Sequence, residues 1–287
     1  MKKLKIFILL IFIISLTGCF KKDTLEDITI YTTNYPTEYI TKYLYSDNAD
    51  ILSIYPNNVD IMKYKLNDKQ IDDYSKADIF IYNGLSNEKE YAIQMLNKNK
   101  QLLIIDSTIS MEYETDSEEL WIDLSNFLMI AQNIKNGFNE YITSTYLKKD
   151  IEEKYEQLKV EISELDAEIK LLISNSSNKT LVVGNDIFLY LKKYGINVIS
   201  LEENDNLTDK IISDVNKMIS KKQINYIYLK SEKDLNATIN KLVESGKIEI
   251  IYLHSLSNLS DEDRIEKLDY LQIMNNNVDK LKRELYK

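Results

Sequence analysis

The sequence predicts an α/β protein built from two βα lobes, each with a mostly parallel four-stranded sheet, joined by a long rigid helix. The first observation is that short runs rich in β-branched and aromatic residues alternate with amphipathic helical stretches. Such alternation is typical of βα units that form a parallel sheet. The second is a long helical pattern that separates two groups of four strands, so the chain divides into two similar halves.

The predicted strands and helices alternate in both halves. The strands are residues 28–33, 51–55, 78–83 and 101–106 in the first half, and 179–184, 196–201, 225–230 and 248–253 in the second. The helices are residues 36–47, 68–76, 86–98 and 124–146 in the first half, and 186–194, 208–222, 232–245 and 261–286 in the second.

The helix between the halves is predicted over residues 147–175. From Ile151 to Leu172 the apolar residues are spaced alternately by four and three, which is the heptad pattern of a coiled coil. Because strands follow directly, a single rigid helix along a two-lobed body is favoured over a coiled coil. The N-terminal lobe then covers 28–146 and the C-terminal lobe 176–287. With no Pro-rich linker between them, we expect the lobes to be held stiffly.

The first residues have the pattern of a bacterial lipoprotein signal. Lysines near the start precede an apolar run, Ile6 to Leu16, that is short for a membrane-spanning helix. Leu-Thr-Gly-Cys then ends at Cys19, the sole cysteine. We predict a signal peptide over 1–18, lipidation of Cys19 and a tether over 19–27, which would place the protein on the outer face of the bacterial cytoplasmic membrane. The alternative is a buried free thiol after a chance apolar run.

Composition narrows the classes of function. The formal net charge is −10 and the pI is about 4.9, which argues against a nucleic-acid partner because phosphate binding needs clustered Lys and Arg. No nucleophile elbow, phosphate-binding loop or histidine-centred triad is present. A single histidine also limits general-base chemistry. We therefore expect neither an enzyme nor a catalytic or cofactor-binding residue.

Several stretches, in order, resemble the metal-binding lipoproteins of bacterial zinc and manganese ABC importers, the adhesin-like or cluster A-I solute-binding proteins. They are "YSKADIFIYNGLSNE" (74–88), "ELWIDLSNFLMIAQNI" (119–134), the helix pattern of 148–173, "VVGNDIFLYLKKYGI" (182–196) and the C-terminal 252–285. The resemblance implies two βα lobes bridged by a long helix, a pocket between the lobes, a metal ion as cargo and an ABC permease as partner. We also expect a monomer.

The resemblance also implies four ligand positions, and here three of them have lost the family's histidine. The tentative metal- or ligand-binding residues are Met62, Glu119, Asn185 and His254, the only histidine in the chain. They offer a thioether, a carboxylate, an amide and an imidazole, a mixture that no common divalent ion favours. The sequence therefore predicts an altered site, and a tight conventional zinc site is not expected.

Each candidate also has a structural interpretation. Met62 could fill the core, Asn185 or Asp186 could cap the following helix, and Glu119 belongs to the acidic run 111–120. His254 could be structural. Two further functions stay open at this point: the same scaffold binding a small organic ligand or metal chelate, and a surface interaction lipoprotein whose pocket has decayed.

Overall fold

Two parallel four-stranded sheets form the body of the computed structural model, which describes residues 25, 27–45, 48–112, 120–246 and 248–287. The first sheet has the strand order β2-β1-β3-β4 and the second has β6-β5-β7-β8. The strands are β1 Ile28–Thr32, β2 Ala49–Ser53, β3 Ile79–Tyr82, β4 Leu103–Asp106, β5 Thr180–Val183, β6 Asn197–Ser200, β7 Tyr226–Leu229 and β8 Glu249–Tyr252. All pairings are parallel, so the predicted fold class is confirmed.

Helices connect the strands and cover the sheets. They are α1 Tyr35–Tyr45, α2 Asp68–Tyr74, α3 Glu88–Lys98, α4 Leu124–Tyr141, α5 Thr145–Ser174, α6 Asp209–Ser220, α7 Ala237–Gly246, α8 Asp261–Ile265 and α9 Tyr270–Leu285. Short 3₁₀ helices cover Leu120–Ile122, Asp186–Tyr194 and Glu232–Asp234. None of the helices in these described parts of the chain is long and apolar enough to cross a bilayer.

The long helix α5 joins the two lobes. It spans 30 residues and is capped by the preceding Ser144, whose hydroxyl accepts a hydrogen bond from the Leu147 amide. The side chains of its heptad stripe are buried, including Ile151, Leu158 and Ile162. The stripe packs against α1 and α4 of the first lobe and against α9 of the second, which agrees with the single-helix interpretation. One apolar cluster runs through both lobes and α5.

Two predicted helices differ from the structure. Residues 186–194 form a 3₁₀ helix and not an α-helix. The single helix predicted over 261–286 is wrong, because the chain forms α8 and α9 with a turn between them. Lys267 lies at φ 55° in that turn, a left-handed conformation that ends a helix. Asp269 then starts α9 by accepting a hydrogen bond from the Gln272 amide in a capping box.

The segment after β8 ties the second lobe to the first. We call residues 255–264 the cross-lobe segment. This segment forms hydrogen bonds with the turns that follow β1 and β2. The Tyr35 amide donates to the Ser257 carbonyl (3.1 Å), and the Asn58 amide donates to the Leu259 carbonyl (3.1 Å). Asp261 accepts from the side chains of Asn57 and Asn58 (2.8 and 2.6 Å).

Candidate functional site

The candidate residues of the second lobe lie at one edge of its sheet. Asn185 follows β5 and His254 follows β8. Because all four strands are parallel, their carboxyl ends lie at the same edge, which is where open α/β sheets bind ligands. The cross-lobe segment starts at this edge and reaches the first lobe, so His254 lies where the two lobes meet.

His254 is held by hydrogen bonds on its backbone and on its ring. Its amide donates to Asn277 Oδ1 and its carbonyl accepts from Asn277 Nδ2, both at 2.8 Å. The Leu256 amide donates to His254 Nδ1 at 2.9 Å. His254 Nε2 lies 3.4 Å from Asp263 Oδ2, and the imidazole is 27% exposed. The Asn277 side chain therefore fixes the backbone of His254, and contacts at both ring nitrogens fix the orientation of the imidazole.

This arrangement defines the protonation state of the neutral imidazole. Since Nδ1 accepts a hydrogen bond from the Leu256 amide, it carries no proton, and the ring proton is on Nε2 facing Asp263. In a metal-bound histidine, by contrast, one ring nitrogen binds the ion and the other carries the proton and donates a hydrogen bond. Leu256 holds this geometry at φ 61°, an uncommon conformation for a large side chain.

Burial and one carboxylate set the pKa of His254 in opposite directions. Burial lowers the pKa by disfavouring the imidazolium, while Asp263 raises it, and the net effect lowers the pKa below its usual value of 6.5. Burial likewise raises the pKa of Asp263, but hydrogen bonds from Ser260 and the interaction with His254 lower it more. His254 is thus neutral and Asp263 ionised near neutral pH.

Asn185 joins two strands and does not cap the 3₁₀ helix that follows it. Its side chain makes no capping hydrogen bond. Instead its Oδ1 accepts a hydrogen bond from the Lys230 amide at 2.9 Å, which links the ends of β5 and β7. The side chain is 4% exposed. Neighbouring Asp186 accepts from Asn204 Nδ2 at 2.8 Å and donates its amide to Glu202, so this turn is braced by the loop after β6.

Met62 lies in the first lobe, on the turn after β2, and is 42% exposed. Its amide donates to Asp60 Oδ1 at 3.1 Å. The thioether lines a cavity formed only by residues of the first lobe. The core-filling interpretation of Met62 is therefore wrong.

Glu119 and Cys19 lie outside the described residues. Two residues after Glu119, Trp121 is buried and its Nε1 donates to the Ser255 carbonyl at 2.9 Å. The Trp121 carbonyl accepts from Tyr270 OH at 2.7 Å. The chain that follows Glu119 is therefore held against the residue after His254.

The structure thus brings Asn185 and His254 to one sheet edge and places Met62 in the other lobe. Among the described residues, no three His, Cys, Asp or Glu side chains are grouped as metal ligands. Sequence reasoning missed Asp263 and Asn277, which fix His254. A signal for Asp263 was present in the sequence, since Ser260 and Asp263 have the spacing of a capping box directly after the last strand.

Comparison with known proteins gives the family. Residues 30–284 match the family described as ZnuA, zinc-uptake complex component A, periplasmic. The chain therefore belongs to this family of solute-binding proteins, as the resemblance indicated, and the family is not enzymatic, so the prediction of no enzyme is confirmed.

Individual relatives agree with this result. The manganese ABC transporter substrate-binding lipoprotein PsaA of Streptococcus mitis is 26% identical over 221 residues, which is 68% of this chain and 70% of the relative. Two solved structures share the fold: the Zn(II)-bound ZnuA-like domain of Streptococcus pneumoniae AdcA (20% identity, TM-score 0.73) and the metal-dependent lipoprotein YcdH of Bacillus subtilis (18%, 0.75). Both similarities cover 91% of this chain and all of the other.

Proposed function

We propose that this protein is the substrate-binding component of an ABC importer, with a divalent metal ion of the zinc and manganese class as cargo and an altered cargo site. The family match over residues 30–284 supports the transport role. The relative from Streptococcus mitis is named for manganese and the Streptococcus pneumoniae structure for Zn(II). Cys19 is the proposed lipid attachment point, and an ABC permease in the same membrane is the proposed partner.

The altered site uses His254 and Glu119 as its two strongest donors. The observation that carries this proposal is the position of the only histidine, at the carboxyl end of β8 where the lobes meet, with the Asp263 carboxylate 3.4 Å from Nε2. Imidazole and carboxylate are ligands that both zinc and manganese accept. Asn185 contributes at most a carbonyl oxygen, which is a weaker partner for these ions, and Met62 has no role in this site because it lines the separate cavity of the first lobe.

Metal binding at Nε2 requires a local rearrangement. A neutral imidazole that binds an ion through Nε2 carries its proton on Nδ1, and Nδ1–H cannot face the Leu256 amide, which is itself a donor. The Leu256 hydrogen bond must therefore break before the ion is bound. This cost and the reduced donor set predict weaker binding than at a conventional site built from several imidazole and carboxylate donors.

Calorimetric titration of the metal-stripped mature chain, without a polyhistidine tag, tests the proposal. Zn²⁺ and Mn²⁺ should each give one saturable site that is weakened in His254→Ala and in Glu119→Ala and lost in the double variant. Glu244→Gln, an exposed glutamate of the same lobe, serves as the control. Binding that survives the double variant would reject the altered site, and no heat with either ion would reject a metal as cargo.

A second candidate is a small organic cargo on the same scaffold. Asn185 Oδ1 accepts from the Lys230 amide and His254 Nδ1 accepts from the Leu256 amide, which favours this candidate because neither atom is free to bind a metal ion. Native mass spectrometry of the protein purified from its own cell envelope distinguishes the two candidates. A bound organic mass that is displaced on unfolding supports the second, and a bound metal supports the first.

A further inference from the structure

A cavity of about 380 Å³ opens in the first lobe, between the loop after β2 and the first turns of α3. All of its lining residues lie between Tyr55 and Gln94. It is therefore separate from the sheet edge that holds Asn185 and His254. Its volume falls in the lower part of the range of roughly 300–1,000 Å³ for small-molecule pockets.

Aromatic rings form the walls of this cavity. Tyr55 and Tyr64 meet edge to face, with centroids 5.8 Å apart and planes at 87°. Tyr91 adds a third ring. Hydrogen bonds fix two of these rings: Gln70 Nε2 donates to Tyr64 OH at 2.9 Å, and the Leu66 amide donates to Tyr91 OH at 3.3 Å. The walls are thus set before any ligand binds.

The charge of the lining is negative on balance. Glu88 is a buried residue of the lining whose Oε2 accepts from the Asn83 amide at 2.9 Å and whose Oε1 accepts from Tyr55 OH at 3.4 Å. Glu90 is exposed at the rim, and Lys65 is the one basic residue of the lining. Aromatic faces are themselves electronegative and attract cations. An anion is therefore disfavoured on two grounds.

We propose that this cavity binds a small organic cation, an alkylammonium whose charged end lies between the tyrosine rings and the carboxylates. A transition metal does not fit, because the lining offers no imidazole or thiolate. The exposed thioether of Met62 supplies an adaptable apolar contact for the alkyl group. The site is independent of the cargo site proposed above.

NMR of the full mature chain with ¹³C-labelled methionine methyl groups tests the proposal, because Met62 reports directly on the cavity. Three probes of similar size and different charge are compared: n-butylammonium chloride, 1-butanol and sodium butanoate. Butylammonium should shift the Met62 methyl signal with saturation, and the alcohol and the acid should not. No saturable shift with butylammonium, or an equal response to butanol, would overturn the proposal.

Variants locate the response. Tyr91→Leu should weaken butylammonium binding by about twofold to thirtyfold, the range expected for one cation–π contact. Glu90→Gln, at the exposed rim, should weaken it by about twofold to fivefold without disturbing the fold. Glu244→Gln, an exposed glutamate of the other lobe, is the matched control. His254→Ala should leave the response unchanged, so the organic-cation site and the metal site can fail separately. Full retention of binding in both cavity variants would overturn the assignment.

Discussion

Arg264 and Glu38 form a two-bond ion pair across the lobes. Arg264 Nη1 lies 2.6 Å from Glu38 Oε1 and Nη2 lies 2.7 Å from Oε2. The Glu38 side chain is only 3% exposed, and Lys42 also contacts it at 2.5 Å. Because the pair is bidentate and one partner is buried, it restrains both the distance and the orientation of the lobes.

Removing Arg264 should strongly destabilise the protein. Arg264→Ala leaves the buried Glu38 carboxylate with Lys42 alone, and breaking a buried pair in this way costs about 3 kcal/mol in the free energy of unfolding. Urea unfolding followed by circular dichroism measures it. Arg283→Ala is the matched control, since Arg283 pairs with Glu249 at an exposed position, and it should cost less than about 1 kcal/mol. Equal effects of the two variants would contradict this role for the cross-lobe pair.

The same carboxylate predicts a loss of stability in acid. Burial raises the pKa of Glu38, but Arg264 and Lys42 together lower it more, so the folded pKa lies below its ordinary value of 4.5. The unfolded chain then takes up the proton first, and stability present above pH 4.5 is lost as the pH falls through the folded pKa. In Glu38→Gln the free energy of unfolding should fall less than in the wild type below about pH 5. If the free energy of unfolding of Glu38→Gln fell with pH as steeply as that of the wild type and of the control Glu244→Gln, this pair would not contribute to the loss of stability in acid.

His254 should be a neutral Nε2–H tautomer with a lowered pKa. As the only histidine, it gives one set of ¹⁵N imidazole signals in an untagged protein. Titration should show a pKa below 6.5, because burial disfavours the charged ring. Asp263→Asn should lower the pKa further, since Asp263 favours the imidazolium. A higher pKa in that variant, or an Nδ1–H tautomer in the wild type, would be inconsistent with the hydrogen bonds described here.

Asn185 should matter for stability apart from any ligand. Asn185→Ala removes the acceptor of the Lys230 amide at a buried strand end, which should cost about 1–3 kcal/mol in the free energy of unfolding. Asn240→Ala, at an exposed helical position, should change it by less than about 0.5 kcal/mol. A neutral Asn185→Ala would mean that the β5–β7 link is not important for the fold.

The sequence predicted the two sheets and the long helix because their signals are local. The spacing of Ile151, Leu158 and Ile162 is enough to define the buried face of α5. The break between α8 and α9 depends on one left-handed residue, Lys267, where the sequence has no glycine to signal the end of a helix. Because the helical pattern continues on both sides of Lys267, the sequence predicts one helix where the structure has two.

The candidate site was less predictable because its geometry depends on distant residues. Arg264 and Glu38 are 226 positions apart, and no periodicity connects them. The protonation of His254 follows from one hydrogen bond to the Leu256 amide, which composition and spacing do not encode. Met62 stands at a position where the family has a metal ligand, and nothing in the sequence indicated that it lines a cavity within the first lobe.

We expect the only histidine of this solute-binding protein to change its bonding when a metal ion binds as cargo. A zinc titration followed by the ¹⁵N signals of the His254 ring is the most direct measurement. The expected result is that Nε2 loses its proton and binds the ion while Nδ1 becomes protonated, with release of the Leu256 amide. Zinc binding that leaves both ring nitrogens of His254 unchanged would contradict it.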